Sequence, residues 1–163
     1  MRGYMQRRLT QREAKAADSR STPADLMAAL DAEFGFTLDP CPFDQSQEAG
    51  LPLWGRDGKL GLWRGQRVWC NPPYSDIAPW LAKSDEADVA VYLLPARTDM
   101  GWWHEYAMRA DEIRFIRGRL RFGGGPNTMG APFPSVVLVY RLNGPRVPRV
   151  LSIDRLGQPV GAA

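Results

Sequence analysis

Apolar and polar positions fall into short blocks along this chain, and most blocks point to one type of element. Leu26, Met27, Leu30 and Phe34 recur at helical spacing. Ser21 or Thr22 stands where a helix N-cap belongs, Pro23 lies in the first turn and Gly35 follows the last apolar position, so the pattern predicts a helix ending at Gly35. Phe36-Thr37-Leu38 reads as a short buried strand running into Asp39-Pro40-Cys41-Pro42, where two prolines forbid further ladder pairing. Residues 43–65 carry little periodicity and many turn formers, which predicts a long loop with room for one short helix. Arg67-Val68-Trp69-Cys70 is a predicted strand, interrupted by Asn71-Pro72-Pro73-Tyr74. Residues 78–87 suit a helix, and Val89-Ala90-Val91-Tyr92-Leu93-Leu94 is the continuous apolar run of a strand covered on both faces. A helix is predicted over 102–110, partial alternation over 112–122, a flexible loop at Gly123-Gly124-Gly125-Pro126, and a last buried strand at Ser135-Val136-Val137-Leu138-Val139-Tyr140. This order predicts an α/β sheet that is parallel at its centre with an antiparallel end.

Composition bounds that picture. A chain of 163 residues with 44% hydrophobic content buries one ordinary core, so one domain is expected over 21–142, with a basic flexible tail at 1–20 and a loosely attached Gly- and Pro-rich tail at 143–163. No apolar run approaches the roughly 20 residues a bilayer requires, and the basic N-terminus lacks the apolar segment of a signal peptide; a cytoplasmic protein without membrane association is expected. Cys41, Cys70 and the sole histidine, His104, supply neither a disulfide framework nor a zinc ligand set, and no metal is expected. The net charge of +3 is local: residues 1–21 hold six basic side chains against Glu13 and Asp18, which leaves the remainder nearly neutral.

The chemistry concentrates where the Arg67-Val68-Trp69-Cys70 strand stops. In an open α/β sheet, ligands bind beyond the carboxyl ends of the strands. Two successive prolines fix two φ angles and hold the Asn71 side chain and the Pro72 carbonyl in one rigid constellation of acceptors. An exocyclic amine conjugated to an aromatic ring is a poor nucleophile because its lone pair is delocalised. Two acceptors around its N–H groups favour the sp³ form and restore the lone pair for attack on the methyl group of a sulfonium donor. Tyr74 then offers an aromatic face to a base that has lost its stacking partners.

Around this motif the chain resembles the phage-type DNA N-6-adenine methyltransferases, across about 19–140. The matching blocks are Ser21-Thr22-Pro23, Leu38-Asp39-Pro40-Cys41, Asp57-Gly58 with Trp63, and Val68-Trp69-Cys70-Asn71-Pro72-Pro73-Tyr74-Ser75. They continue with Leu93-Leu94-Pro95-Ala96-Arg97-Thr98-Asp99, Trp102-Trp103-His104, Gly118-Arg119-Leu120-Arg121-Phe122 and Ala131-Pro132-Phe133-Pro134-Ser135. The resemblance implies a compact, truncated Rossmann-like class I methyltransferase sheet with helices on both faces, S-adenosylmethionine as donor, double-stranded DNA as partner, and a phage or prophage setting of the restriction-modification kind. It implies catalytic roles for Asn71, Pro72, Pro73 and Tyr74, and donor contacts from Thr22, Pro23, Asp39, Pro40 and Asn71. It also places Phe133 opposite the flipped base. One departure stands out. The glycine-rich donor loop of larger adenine methyltransferases has no counterpart here, because Asp39 is followed by Pro-Cys-Pro, so the 44–65 loop is expected to complete the donor pocket.

The remaining DNA candidates are Ser75, Arg97 at the end of the third predicted strand, and Arg117, Arg119 and Arg121 in a basic stripe that also includes Arg114. Of Trp102 and Trp103, one is expected in the core and one at the surface. Two other readings remain open from sequence alone. Asp39, Asp44 and Glu48 suit a metal cluster in a DNA-binding or nuclease-like protein without donor binding. The same Asn-Pro-Pro-Tyr motif can also present a protein glutamine side chain for methylation.

Overall fold

The computed structural model describes residues 21–41, 58–123 and 130–161. The fold is mixed α/β, built on one open five-stranded sheet. In chain order the elements are α1 (Ala24–Phe34), β1 (Arg67–Cys70), α2 (Ala78–Leu81), β2 (Val89–Pro95), α3 (Gly101–Glu105), β3 (Glu112–Ile116), β4 (Ser135–Arg141) and β5 (Arg149–Ile153), with single 3₁₀ turns at Ser84–Glu86 and Ala107–Arg109.

The strands lie in the order β1-β2-β4-β3-β5. β1 and β2 run parallel, β4 runs antiparallel to both β2 and β3, and β5 pairs parallel with β3. The sequence pattern put the antiparallel strand at one end, and the structure corrects this by placing β4 in the middle. The physical reason lies in β4 itself. From Ser135 to Tyr140 every residue is buried, so the strand needs cover on both faces and paired neighbours on both edges, which an interior position provides and an edge does not.

Period-two alternation sorts the core into two layers. Val68, Cys70, Ala90, Tyr92, Leu94, Val136 and Leu138 face α2, α3 and the 3₁₀ turns, where Trp80, Leu81, Trp102, Trp103 and Ala107 cover them. Trp69, Val91, Leu93, Val137 and Val139 face the other way, onto Leu26 and Leu30 of α1. Trp102 and Trp103 are therefore both core residues, since both indoles are needed to cover the broad middle of the sheet.

α1 ends as its sequence predicts, with Gly35 in the left-handed conformation at φ 59°. Its start differs. Pro23 occupies the N-cap position without a side-chain cap, and Thr22 turns its hydroxyl elsewhere. The strand expected at 36–38 shrinks to one parallel bridge, Leu38 to Val68, because Pro40 ends the pairing almost as it begins. The helices expected over 78–87 and 102–110 each break into a short α-helix and a 3₁₀ turn. β5 had no counterpart in the sequence reading of 143–163: Arg149–Ile153 pairs with β3 and buries Ile153.

At the amino ends of β1, β2 and β3, a buried ion network ties α1 to the sheet. Arg114 makes a bidentate contact with Glu33 at 2.6 Å and also reaches Glu112, which in turn binds Arg141 at 2.8 Å. Arg114 therefore leaves the predicted basic stripe, since its side chain is consumed inside the fold. Burial raises the Glu112 pKa, but hydrogen bonds and charge from Arg114, then Arg141, outweigh it and hold the group below the ordinary glutamate value. Its contribution is therefore complete above about pH 4.3 and is lost as pH falls through the lowered folded-state value. Replacing Arg114 with Met should cost about 3 kcal/mol at pH 7, because a buried carboxylate loses its principal partner. Urea unfolding should show this deficit shrinking as pH falls below the ordinary glutamate value and protonation removes the buried charge that needs a cation; a deficit independent of pH would remove the ion network as its cause.

Candidate active site

Three strand ends define one rim of the sheet. β1 ends at Cys70 and β2 at Pro95, and the antiparallel β4 begins at Ser135 opposite Pro95. Asn71, Arg97 and Phe133 therefore emerge side by side, although 62 positions separate the first from the last. Arg117, Arg119 and Arg121 follow β3 at the same rim and are exposed, while Leu120, between the last two, and Phe122, after them, are buried. The stripe is thus a loop with alternating anchors rather than a strand face. It is pinned by a hydrogen bond from Ala131 N to the Leu120 carbonyl at 2.8 Å.

The parallel bridge of Leu38 to Val68 sets Asp39 beside the end of β1. Asp39 is only 2% exposed, and one of its carboxylate oxygens accepts from Cys41 N at 2.9 Å. Directly beneath, burial pushes the Cys70 thiol well above its ordinary pKa, and neighbouring Cys41 and Asp39 add to the rise. Such a thiol stays protonated and packs; it is no nucleophile.

Thr22 completes this corner from the other layer. Asn71 Nδ2 donates to Thr22 Oγ1 at 3.3 Å, a contact across 49 positions that joins the start of α1 to the end of β1. The hydroxyl that sequence suggested for a helix cap is thus spent on the Asn-Pro-Pro-Tyr motif. It holds the asparagine amide with Nδ2 toward α1. Pro72 is buried and Pro73 partly so, which fits a rigid turn, and Ser75 is exposed.

An aromatic cluster flanks the motif on its β4 side. Tyr74 is nearly buried and meets Phe133 edge-on, with ring centroids 5.7 Å apart and planes at 78°. Phe133 also packs against Phe122 at 6.3 Å, and the Arg97 guanidinium lies over its ring at 5.9 Å. Sequence reasoning named Tyr74, Arg97 and Phe133 separately; their mutual contact emerges only from the strand order. Phe122 was missed as a site neighbour, and its alternation with the exposed arginines was the available signal. His104 is exposed on α3, away from the motif in sequence.

A glycine missed as structural sits on the opposite flank. A side chain on Gly58 would place its Cβ 1.9 Å from the Pro40 carbonyl oxygen, so two backbones touch where the polypeptide returns from the 42–57 segment. Trp63, fully buried, donates from Nε1 to the Gly58 carbonyl at 3.1 Å and locks this contact. Asp44 and Glu48, and with them the proposed metal cluster, lie outside the described residues; among the described residues no group of three potential metal ligands occurs.

A family model for DNA N-6-adenine-methyltransferase (Dam) matches residues 10–149. The chain belongs to this family. No curated protein sequence matches it. The family match covers every block at the rim, from Thr22 and Asp39 through Asn71-Pro72-Pro73-Tyr74 to Phe133, and it carries DNA adenine-N6 methylation as the general activity. No described helix is long and apolar enough to cross a membrane. An open groove of about 1120 Å³ lies at the other end of the sheet, lined by Glu33, Glu112, Arg114 and Arg141 among others. Those four side chains pair with one another, and the groove lies away from the rim.

The Gly58 contact yields a sharp expectation. Gly58→Ala should force the Pro40 turn apart and lower the melting temperature by several degrees, on the order of 2 kcal/mol for overpacking against backbone. Circular dichroism melting checks this; an unchanged transition would mean that the two backbones do not meet in solution.

Proposed function

We propose that this protein transfers a methyl group from S-adenosylmethionine to the N6 amino group of adenine in double-stranded DNA, with a truncated Rossmann-like class I sheet as its scaffold. The observation that carries the reading is the Thr22–Asn71 contact beside buried Asp39 at the end of β1. It joins residues from three separate parts of the chain at one corner, which supports the reading.

The residues present suit the donor. S-adenosylmethionine carries positive charge at its sulfonium and amino groups, and supplies an electrophilic methyl. Asp39, a carboxylate buried at a strand end, has the matching sign, and Thr22, Pro23 and Pro40 are the remaining candidates for donor contact. In the family's larger members a glycine-rich loop fills this position; here the Gly58–Pro40 contact supports the role of the 44–65 segment in closing that side.

For the acceptor, Asn71 Oδ1 and the Pro72 carbonyl take the two amine hydrogens and pull the nitrogen toward sp³ geometry. Its lone pair then points at the donor methyl. As the N–C bond forms, the bond from sulfur to methyl breaks, its electrons stay on sulfur, and the amine's extra proton leaves to solvent. Tyr74 stacks on the adenine. Phe133, in edge-on contact with Tyr74, lies opposite the base, and Arg97, over the Phe133 ring, contacts the DNA backbone. Arg117, Arg119 and Arg121 hold phosphates and confer affinity without sequence preference. Ser75 adds a polar contact at the motif's exposed end.

Asn71→Ala should lower the single-turnover methylation rate at saturating donor by about 10² to 10³, with DNA affinity nearly unchanged, since the loss falls on the transition state. Undiminished N6-methyladenine formation by this variant would move the chemistry away from the motif. Thr22→Val should cost roughly tenfold in the same rate by freeing the Asn71 amide, and Thr22→Ser should restore most of it. A loss that serine fails to rescue would point to packing at the α1 start rather than orientation of Asn71.

A further inference from the structure

The loop that follows Gly58 displays two large apolar side chains to solvent. Leu60 is 85% exposed and Leu62 72% exposed. Their stem is rigid: the Gly58 backbone abuts Pro40, the Trp63 indole bonds the Gly58 carbonyl, and the Trp63 ring packs against Tyr92 at 6.4 Å in the core. A stem fixed at both ends leaves the leucines no route to fold back onto the protein. The stem is also tied to the motif. Lys59 Nζ reaches Asp76, two residues beyond Tyr74, at 3.5 Å and lies over the Trp80 ring at 5.5 Å.

We infer that Leu60 and Leu62 form an apolar wedge that enters the DNA base stack and occupies the space an adenine vacates when it is drawn out toward Asn71 and Tyr74. The inference rests on the adenine reading above. A flipped base leaves an unstacked gap in the duplex, and proteins that deform DNA fill such gaps with side chains of this type. The surroundings suit a polyanion. Exposed Arg64 follows the pair, so a cation stands beside the leucines where a phosphate flanking an opened step would pass. Leu60 leads, being adjacent to the Lys59–Asp76 tie, and Leu62 supports it from two positions further along the same stem. Val147 and Val150, at 70% and 65% exposure, lie just before and on β5, at the opposite edge of the sheet from β1 and its motif.

The test compares wild type with the Leu60→Ala/Leu62→Ala double variant on one unmethylated sequence, supplied as duplex plasmid and as its single-stranded circle. Labelled methyl transfer from S-adenosylmethionine is measured on both. Exposed positions of this kind leave the fold intact, so the two proteins should melt alike. The wedge predicts a loss of about tenfold or more on duplex with transfer to the single strand preserved within about twofold, because a single strand has no opposing stack to hold open. Leu60→Met alone should retain most duplex activity. Equal rates of variant and wild type on duplex, or an equal fall on both forms, would overturn the wedge while leaving the adenine reading in place. Loss of a wild-type dimer in sedimentation, with unchanged methylation, would assign the leucines to a protein contact and overturn it too. No transfer to either DNA by the wild type would instead remove the adenine reading itself.

Discussion

The rim of the sheet depends on β1 stopping at Cys70. Pro72 and Pro73 have no N–H to offer a neighbouring strand, so β1 pairs over only four residues before the chain leaves the sheet as a rigid turn. The same break occurs one strand over, where Pro40 limits Leu38 to a single bridge with Val68. Two prematurely ended parallel neighbours leave a notch, and Asp39, Asn71 and Thr22 converge on it. A longer β1 would fill that notch with backbone and remove the corner altogether.

The two-layer core explains why the notch is stable. Because alternate residues of β1, β2 and β4 serve opposite layers, α1 on one side and the α2 and α3 segments on the other are each held to the same strands. Thr22 is therefore positioned by the packing of Leu26 and Leu30, and by the Arg114–Glu33 ion pair at the far end of α1, rather than by its single hydrogen bond to Asn71. Misplacing α1 by a few tenths of an ångström would be felt at the motif. This is an indirect dependence of chemistry on a core that touches no substrate.

Much of this was legible in the residues. The β1, β2 and β4 segments declare themselves through uninterrupted apolar runs, and Asn71-Pro72-Pro73-Tyr74 is conspicuous directly after one of them. Local pattern cannot specify which strands pair. The central place of β4 follows from burial on both faces, a property shared by β2, so periodicity alone could not choose between them. β5 escaped notice because exposed Arg149, Val150 and Ser152 give it the look of a tail, with Ile153 its only buried residue. At the rim, the Tyr74–Phe133–Arg97 contacts and the Gly58–Pro40 approach join residues far apart in the chain, and Arg114 looked like a member of a basic stripe until Glu33 and Glu112 were seen to claim it. The Thr22 hydroxyl was ambiguous for a related reason: a threonine before a helix serves as a cap unless something across the fold competes for it.

The central claim is that this corner methylates adenine at N6, and the most direct measurement is the product itself. Unmethylated duplex DNA is incubated with the protein and methyl-labelled S-adenosylmethionine, digested to nucleosides and resolved chromatographically. The account predicts label in N6-methyldeoxyadenosine, abolished by Asn71→Ala. Label in a methylated cytosine, or none in DNA while the same donor labels protein glutamine, would contradict it.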